Sequence, residues 1–200
     1  PLNKHQQRTK GTKAALLKSA RQIFARDGFE ACRIEDVAAE AGYTRGAFYA
    51  HFESKEDLFF ALLQEEVDKH AAHIGRILSS YETLEERVAA LRNHYVKCIA
   101  DREWALLMIE FKLFAVRHPK LRPRLAAKHR RVRASMRLQS AEEMLGIENR
   151  HRESRHAVMA GVLAALFLEH SYDPARLSER QAVLFLGRFF DFFLSPERGC

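Results

Sequence analysis

Apolar residues recur at spacings of three and four along almost the whole chain, and no stretch sustains the alternating pattern of a half-buried strand. No Asn-Gly hairpin turn occurs. This periodicity confines the chain to an all-α fold of about nine helices. Leu16, Leu17, Ala20, Ile23 and Phe24 form a first face, closed by Asp27-Gly28. Val37, Ala38 and Ala41 form a short second face that stops at Gly42, and a third helix follows Thr44 and ends near Phe52. Ser54 with Asp57 is similar to a capping box, Asp replacing the usual Glu, and opens a longer helix carrying Leu58, Leu62 and Leu63. Further helices are predicted over 83–100 and 102–117, then from Pro119 as first residue to about Leu145 before Gly146. Two more span 151–170 and 178–194, separated by Tyr172-Asp173-Pro174. No internal repeat, low-complexity run or flexible linker is evident. A head over residues 9–55 and a larger body over 56–200 are expected, joined through the fourth helix.

Charge bounds the partners. Lys plus Arg number 33 against 26 Asp plus Glu, a formal charge of +7. A mild positive excess suits a polyanion without proving one. Cys32, Cys98 and Cys200 are far apart and odd in number, so neither a zinc knuckle nor a disulfide framework is suggested, and a reducing cytoplasm is the simpler setting. The polar, basic segment from Pro1 to Lys10 is not a secretory signal. The longest apolar run, Ala157 to Leu168, is too short to span a bilayer and is bracketed by His156 and Glu169, so no membrane partner is expected.

Residues 33–55, RIEDVAAEAGYTRGAFYAHFESK, carry the most information. Gly42 can turn the chain through the left-handed region, and the Thr44 hydroxyl can then cap a new helix. Two short helices at a steep angle are what a helix-turn-helix needs to present its second helix to the DNA major groove. Phe48 and Phe52, four apart, should face Ile23, Phe24 and Val37. Arg45, Ala47, Tyr49 and Ala50 then look outward, with Gly46, Ala47 and Ala50 small enough for close approach to bases. Arg45 can reach a phosphate or a guanine edge. Thr44, Tyr49, His51 and Lys55 suit phosphate oxygens. A Gly-centred corner alone is equally an ordinary helical corner with a solvated basic face; the surrounding pattern favours DNA.

The phrases Asp36-Val37-Ala38, Ala41-Gly42-Tyr43-Thr44-Arg45-Gly46-Ala47-Phe48-Tyr49, His51-Phe52 and Ser54-Lys55-Glu56-Asp57-Leu58 closely resemble the signature of the TetR (tetracycline-repressor-like) family. The likeness covers about residues 9 to 60. It implies a three-helix DNA-binding head, a helical ligand-binding body and a homodimer built from the last two helices. Two positions depart from the pattern. Arg33 stands where Thr is usual, so it cannot cap but can reach a phosphate. Glu35 stands where Arg or another polar residue is frequent; it is open whether it is silent, reads a cytosine amino group or pairs with a nearby cation. The arm of Lys4, Arg8, Lys10 and Lys13 is open between a disordered DNA contact and a solvated tail.

In the body, Trp104, Met108, Phe111, Phe114 and Phe167 are expected to line an apolar effector pocket, with ordinary core packing as the alternative. Glu110, among apolar neighbours, either meets a ligand or pairs with Arg117 or Arg102. His70 and His73 are three apart, but no third metal ligand is evident, so no metal and no cofactor are expected. The basic run of Arg117, Lys120, Arg122, Arg124, Lys128, Arg130, Arg131 and Arg133 reads as a solvated helix face offset by Glu142 and Glu143, or as a contact for an acidic ligand. Ala157, Gly161 and Ala164 form a smooth face, and Phe185 and Phe189 belong to an apolar excess that calls for a partner, best met by a two-fold dimer. No catalytic motif is present, so an enzyme is not expected. The leading expectation is a regulator, most simply a repressor, that binds palindromic double-stranded operator DNA as a homodimer and is released by a small apolar or aromatic effector. A DNA-binding adaptor whose body docks a protein is the alternative.

Overall fold

The computed structural model describes residues 3–99, 101–134 and 152–194, and every regular element among them is an α-helix. In chain order these are α1 (Lys4–Asp27), α2 (Ile34–Glu40), α3 (Arg45–Tyr49), α4 (Lys55–Ser80), α5 (Leu84–Ile99), α6 (Arg102–Arg117), α7 (Arg122–Ala134), α8 (Arg152–Tyr172) and α9 (Glu179–Leu194). The expected continuation of the seventh helix to Leu145, the residues Glu142 and Glu143, the side chains of Lys4, Cys98, Arg133, Phe192 and Phe193, and Cys200 lie outside the described residues. Pro119 does not begin α7. It sits in the turn between α6 and α7, where Leu121 and Arg122 each donate a backbone hydrogen bond to the His118 carbonyl.

The chain divides into two compact units: Pro1–Lys69 with Leu106–Met136, and His70–Ala105 with Arg137–Cys200. The head expected over 9–55 lies wholly within the first. Its core follows from the apolar stripe of α1. Leu16, Leu17, Ala20, Ile23 and Phe24 are all buried, as are Val37 and Ala38 of α2, Phe48 of α3, and Leu58, Phe59, Leu62 and Leu63 of α4. Each large side chain so removed from water contributes roughly 1.5–3 kcal/mol. Ser19 is buried in this apolar setting and donates its hydroxyl to the Val37 carbonyl at 2.9 Å, which pins α1 to α2.

The loop between α1 and α2 is held by an aromatic cage. Phe29 is fully buried, with the rings of Phe24, Phe59, Phe111 and Phe114 at 5.1, 5.7, 5.3 and 4.9 Å. Phe59 and Phe111 stack at 3.7 Å. Two of these partners come from α6, so the first unit is completed by a helix remote in sequence. Gly28 opens the loop at φ +86°, and a Cβ there would lie 3.0 Å from Oε2 of Glu110. The backbone conformation thus demands glycine, and a Cβ would in addition press on the Glu110 carboxylate.

The basic arm is not a disordered tail. Asn3 accepts from the Gln6 backbone at 2.8 Å while the Gln6 side chain accepts from the Asn3 backbone at 3.0 Å. This capping box satisfies two orphan N–H groups and starts α1 at Lys4, so Arg8, Lys10 and Lys13 are exposed positions on a helix.

In the second unit α5, α8 and α9 pack together. Leu91, Met159, Phe167, Ala182, Leu186 and Phe190 are buried there, and Tyr95 meets Phe190 at 5.5 Å. Capping boxes open two of its helices, Thr83 with Glu86 at α5 and Ser178 with Gln181 at α9. The Glu86 carboxyl is held below its ordinary range by the hydrogen bonds from Thr83.

Candidate nucleic-acid interface

Local chemistry fixes the corner between α2 and α3. Gly42 takes φ +76°, and a Cβ added there would meet no atom within 4 Å, so backbone conformation alone demands glycine. The Tyr43 amide returns to the Ala38 carbonyl at 2.8 Å and closes the turn. Thr44 is extended, and its Oγ1 accepts from the Ala47 amide at 3.3 Å, capping α3. Arg33 flanks α2 in the corresponding place, exposed and without a side-chain cap hydrogen bond, as its residue type dictates.

Phe48 is the one fully buried residue of α3 and packs on Phe52 at 5.5 Å. Thr44, Arg45, Gly46, Tyr49 and Ala50 are exposed around it, and Ala47 and His51 are part-exposed. These expected site residues therefore form one contiguous solvent-facing stretch. Arg45 is held in place from two sides. Its Nη1 lies 2.9 Å from Oε1 of Glu35 on α2, its Nη2 lies 3.5 Å from the Tyr49 hydroxyl, and the guanidinium sits 5.4 Å from the Tyr49 ring centroid. Of the alternatives open for Glu35, the structure shows pairing with a neighbouring cation.

Lys55 is placed differently from expectation. Its Nζ donates to the carbonyls of Phe29, Glu30 and Cys32 at 2.8, 2.7 and 3.2 Å, and stands 5.0 Å over the Phe29 ring. An ammonium has three protons, and all three are engaged. Lys55 is a staple of the α1–α2 loop, and the phosphate contact assigned to it from the motif gives way to that role. Cys32, in the same loop, is buried, and burial pushes its thiol up to about 11, against a smaller opposing pull from Lys55.

The residues expected to line an effector pocket are divided between the two units. Phe111 and Phe114 belong to the cage round Phe29 in the first unit, where Met108 is half-buried. Trp104 is half-buried and Phe167 buried in the second unit. The Glu110 carboxylate lies against Gly28, while Arg117 lies 3.7 Å and His118 3.8 Å from Glu30. Of the residues expected at a dimer face, Ala157 and Gly161 are exposed, Ala164 and Phe189 part-buried, and Phe185 is 50% exposed, with Leu184 beside it at 52%.

His94 of α5 joins the histidine pair on α4, a neighbour that spacing along one helix does not reveal. His70 Nδ1 lies 3.2 Å from His94 Nε2, and the His73 and His94 ring centroids are 4.6 Å apart. Burial, then the charges of His70, His73 and Lys97, push His94 down to about 4. Among the described residues no group of three or more His, Cys, Asp or Glu is arranged to hold a metal ion, and no helix is long and apolar enough to cross a membrane.

Residues 16–62 match the family model described as bacterial regulatory proteins, tetR family. The Transposon Tn10 TetC protein of Escherichia coli is 29% identical over 111 residues, which cover 54% of this chain and 54% of TetC. The HTH-type transcriptional repressor BepR of Brucella suis is 39% identical over 67 residues, 30% of this chain and 32% of BepR. The chain thus spans about half or less of the length of these curated relatives. A transcriptional regulator FadR from Bacillus subtilis, solved in complex with stearoyl-CoA, superposes with a TM-score of 0.62 at 14% identity over 91% of this chain and 97% of that one, a likeness of fold. BepR and several other relatives in sequence are named as HTH-type regulators of transcription, and the family match spans the helices that carry the exposed stretch 44–51. Residues 16–62 thus carry a helix-turn-helix domain of the kind found in the tetR family of bacterial regulatory proteins.

Proposed function

We propose that the chain is a repressor that binds a palindromic operator as a homodimer and lets go when a small apolar or aromatic effector binds its body. One observation carries the DNA-binding half of this reading. Thr44, Arg45 and Tyr49 are exposed and His51 part-exposed while Phe48 anchors α3, so the outer surface of the helix is open to base edges and phosphates. Arg33, Thr44, Arg45, Gly46, Ala47, Tyr49, Ala50 and His51 make this surface. A DNA-binding domain over 9–55 and an effector and dimerisation domain over 56–200 follow from the same reading.

The release step is supported by α6. This single helix bears Trp104 near its start and Phe111 and Phe114 further on, against Phe29 of the loop that precedes α2. An effector that displaces α6 would disturb the loop that positions the head, provided it binds the displaced form more tightly. FadR from Bacillus subtilis, with its bound stearoyl-CoA, makes acyl thioesters a natural first class of compound to try. The test takes the full chain, a duplex enriched from a random pool and a panel of apolar compounds. Retarded DNA that is freed by a compound, with a change in Trp104 emission, is the expected result. A chain that enriches no sequence from the pool overturns the reading, and one that enriches a sequence no compound releases overturns its effector half.

A further inference from the structure

We infer that Glu35 is a positioning residue that aims Arg45 at a guanine, so that the operator carries a guanine in each half-site opposite the start of α3; the inference rests on the proposed reading of the chain as an operator-binding protein. Arg45 is the first residue of α3, and in a helix-turn-helix the N-terminal residues of the second helix reach base edges. A lone exposed arginine samples many rotamers and meets phosphates as readily as bases. Here the guanidinium is fixed from both ends, by the Glu35 carboxylate at 2.9 Å on Nη1 and by the Tyr49 hydroxyl at 3.5 Å on Nη2, with the Tyr49 ring beneath it. Of the five N–H donors of a guanidinium, two are engaged, which leaves three. Guanine presents two acceptors side by side in the major groove, O6 and N7, which a planar fork meets together; no other base does so.

The carboxylate also sets what Arg45 cannot do. A negative charge beside the guanidinium disfavours a phosphate as the third partner, because phosphate and carboxylate repel. An aromatic nitrogen or a carbonyl carries no such charge. Glu35 therefore lowers general attraction for DNA and raises discrimination. Both side chains are exposed, so the pair adds little to stability and its removal leaves the fold intact.

The experiment enriches duplexes from a random pool with the full chain, with Glu35→Gln and with Arg45→Ala, and compares base preferences by sequencing. Affinity for an unselected duplex and thermal unfolding are measured on each protein. The wild-type chain should enrich sites with a guanine in each half. Arg45→Ala should abolish that preference, and Glu35→Gln should relax it by roughly tenfold, within the range that one bidentate base contact supplies. Glu35→Gln should bind unselected duplex no more weakly than wild type and unfold at the same temperature. An unrelaxed guanine preference in Glu35→Gln, or one that survives Arg45→Ala, overturns the inference and leaves the reading of the chain as an operator-binding protein standing. A wild-type chain that enriches no sequence overturns both.

Discussion

At the scale of single residues, neighbours in the motif separate into readers and fasteners. Arg45 and Tyr49 are exposed, so Arg45→Ala and Tyr49→Ala should each weaken operator binding by about 1–3 kcal/mol in fluorescence anisotropy without shifting the urea midpoint. Lys55→Met should do the reverse. It strands the carbonyls of Phe29, Glu30 and Cys32, and hydrogen bonds to a charged group are worth about 1.5–3 kcal/mol each, so the unfolding midpoint should fall clearly. A Lys55→Met protein as stable as wild type would return Lys55 to the DNA contacts. His94 gives a pH dependence of definite sign. Its imidazole is pushed from the ordinary 6.5 down to about 4 by burial and by His70, His73 and Lys97. Between those values the unfolded chain holds more protons than the folded one, so stability should fall as pH drops through that window. Melting temperatures measured from pH 7 to pH 4 should show this slope, and His94→Gln should flatten it.

At the scale of elements, the sequence is most legible where a local conformation admits few residue types. Gly42 at positive φ and Thr44 as a cap are fixed by chemistry within a few residues, and the structure places both as the motif requires. The bounds of α6 are readable for the same reason, since its periodicity runs unbroken from Arg102 to Arg117. The Asn3–Gln6, Thr83–Glu86 and Ser178–Gln181 boxes are written in the same code, a small polar residue followed three places later by Glu or Gln, and more clearly than the Ser54–Asp57 pair. Thr83→Ala should cost α5 about 1 kcal/mol, measured by chemical unfolding. The roles of Phe29 and Lys55 are not legible. A lone aromatic in a loop has no period, and the partners that give it meaning, Phe111 and Phe114, come from far along the chain. The loop offers its own test. Gly28→Ala meets both a positive φ and the Glu110 carboxylate, whereas Gly42→Ala meets a positive φ alone. Gly28→Ala should be the more destabilising, and Glu110→Ala should recover part of its loss but none of that of Gly42→Ala, a coupling that a double-mutant cycle reads directly.

At the scale of the whole molecule, the question is how many copies act together. Gly161 is an exposed helical position with nothing within 4 Å of a would-be Cβ. In a single chain Gly161→Arg should be harmless or mildly stabilising, since glycine is a poorer helix former by about 1 kcal/mol. Within a two-fold interface the same arginine would be an unpaired buried ion. Sedimentation velocity should show a dimer for wild type and a dissociated or aggregating species for Gly161→Arg and for Phe185→Asp. A soluble dimer in both variants removes α8 and α9 from the interface.

The framing of α3 bears on how such a regulator changes over generations. Gly42, Thr44 and Phe48 hold the corner whatever the exposed positions carry, so drift at Ala47 and Ala50 can try new operators at little cost in folding, as surface substitutions usually alter stability by less than about 0.5 kcal/mol. Glu35, Arg45 and Tyr49 are the exception, because a change in any one removes a contact that holds the guanidinium in place. Descendants that abandon Arg45 should abandon Glu35 with it, and anyone building orthogonal regulators from this head should exchange Glu35, Arg45 and Tyr49 as a unit and vary Ala47 and Ala50 freely.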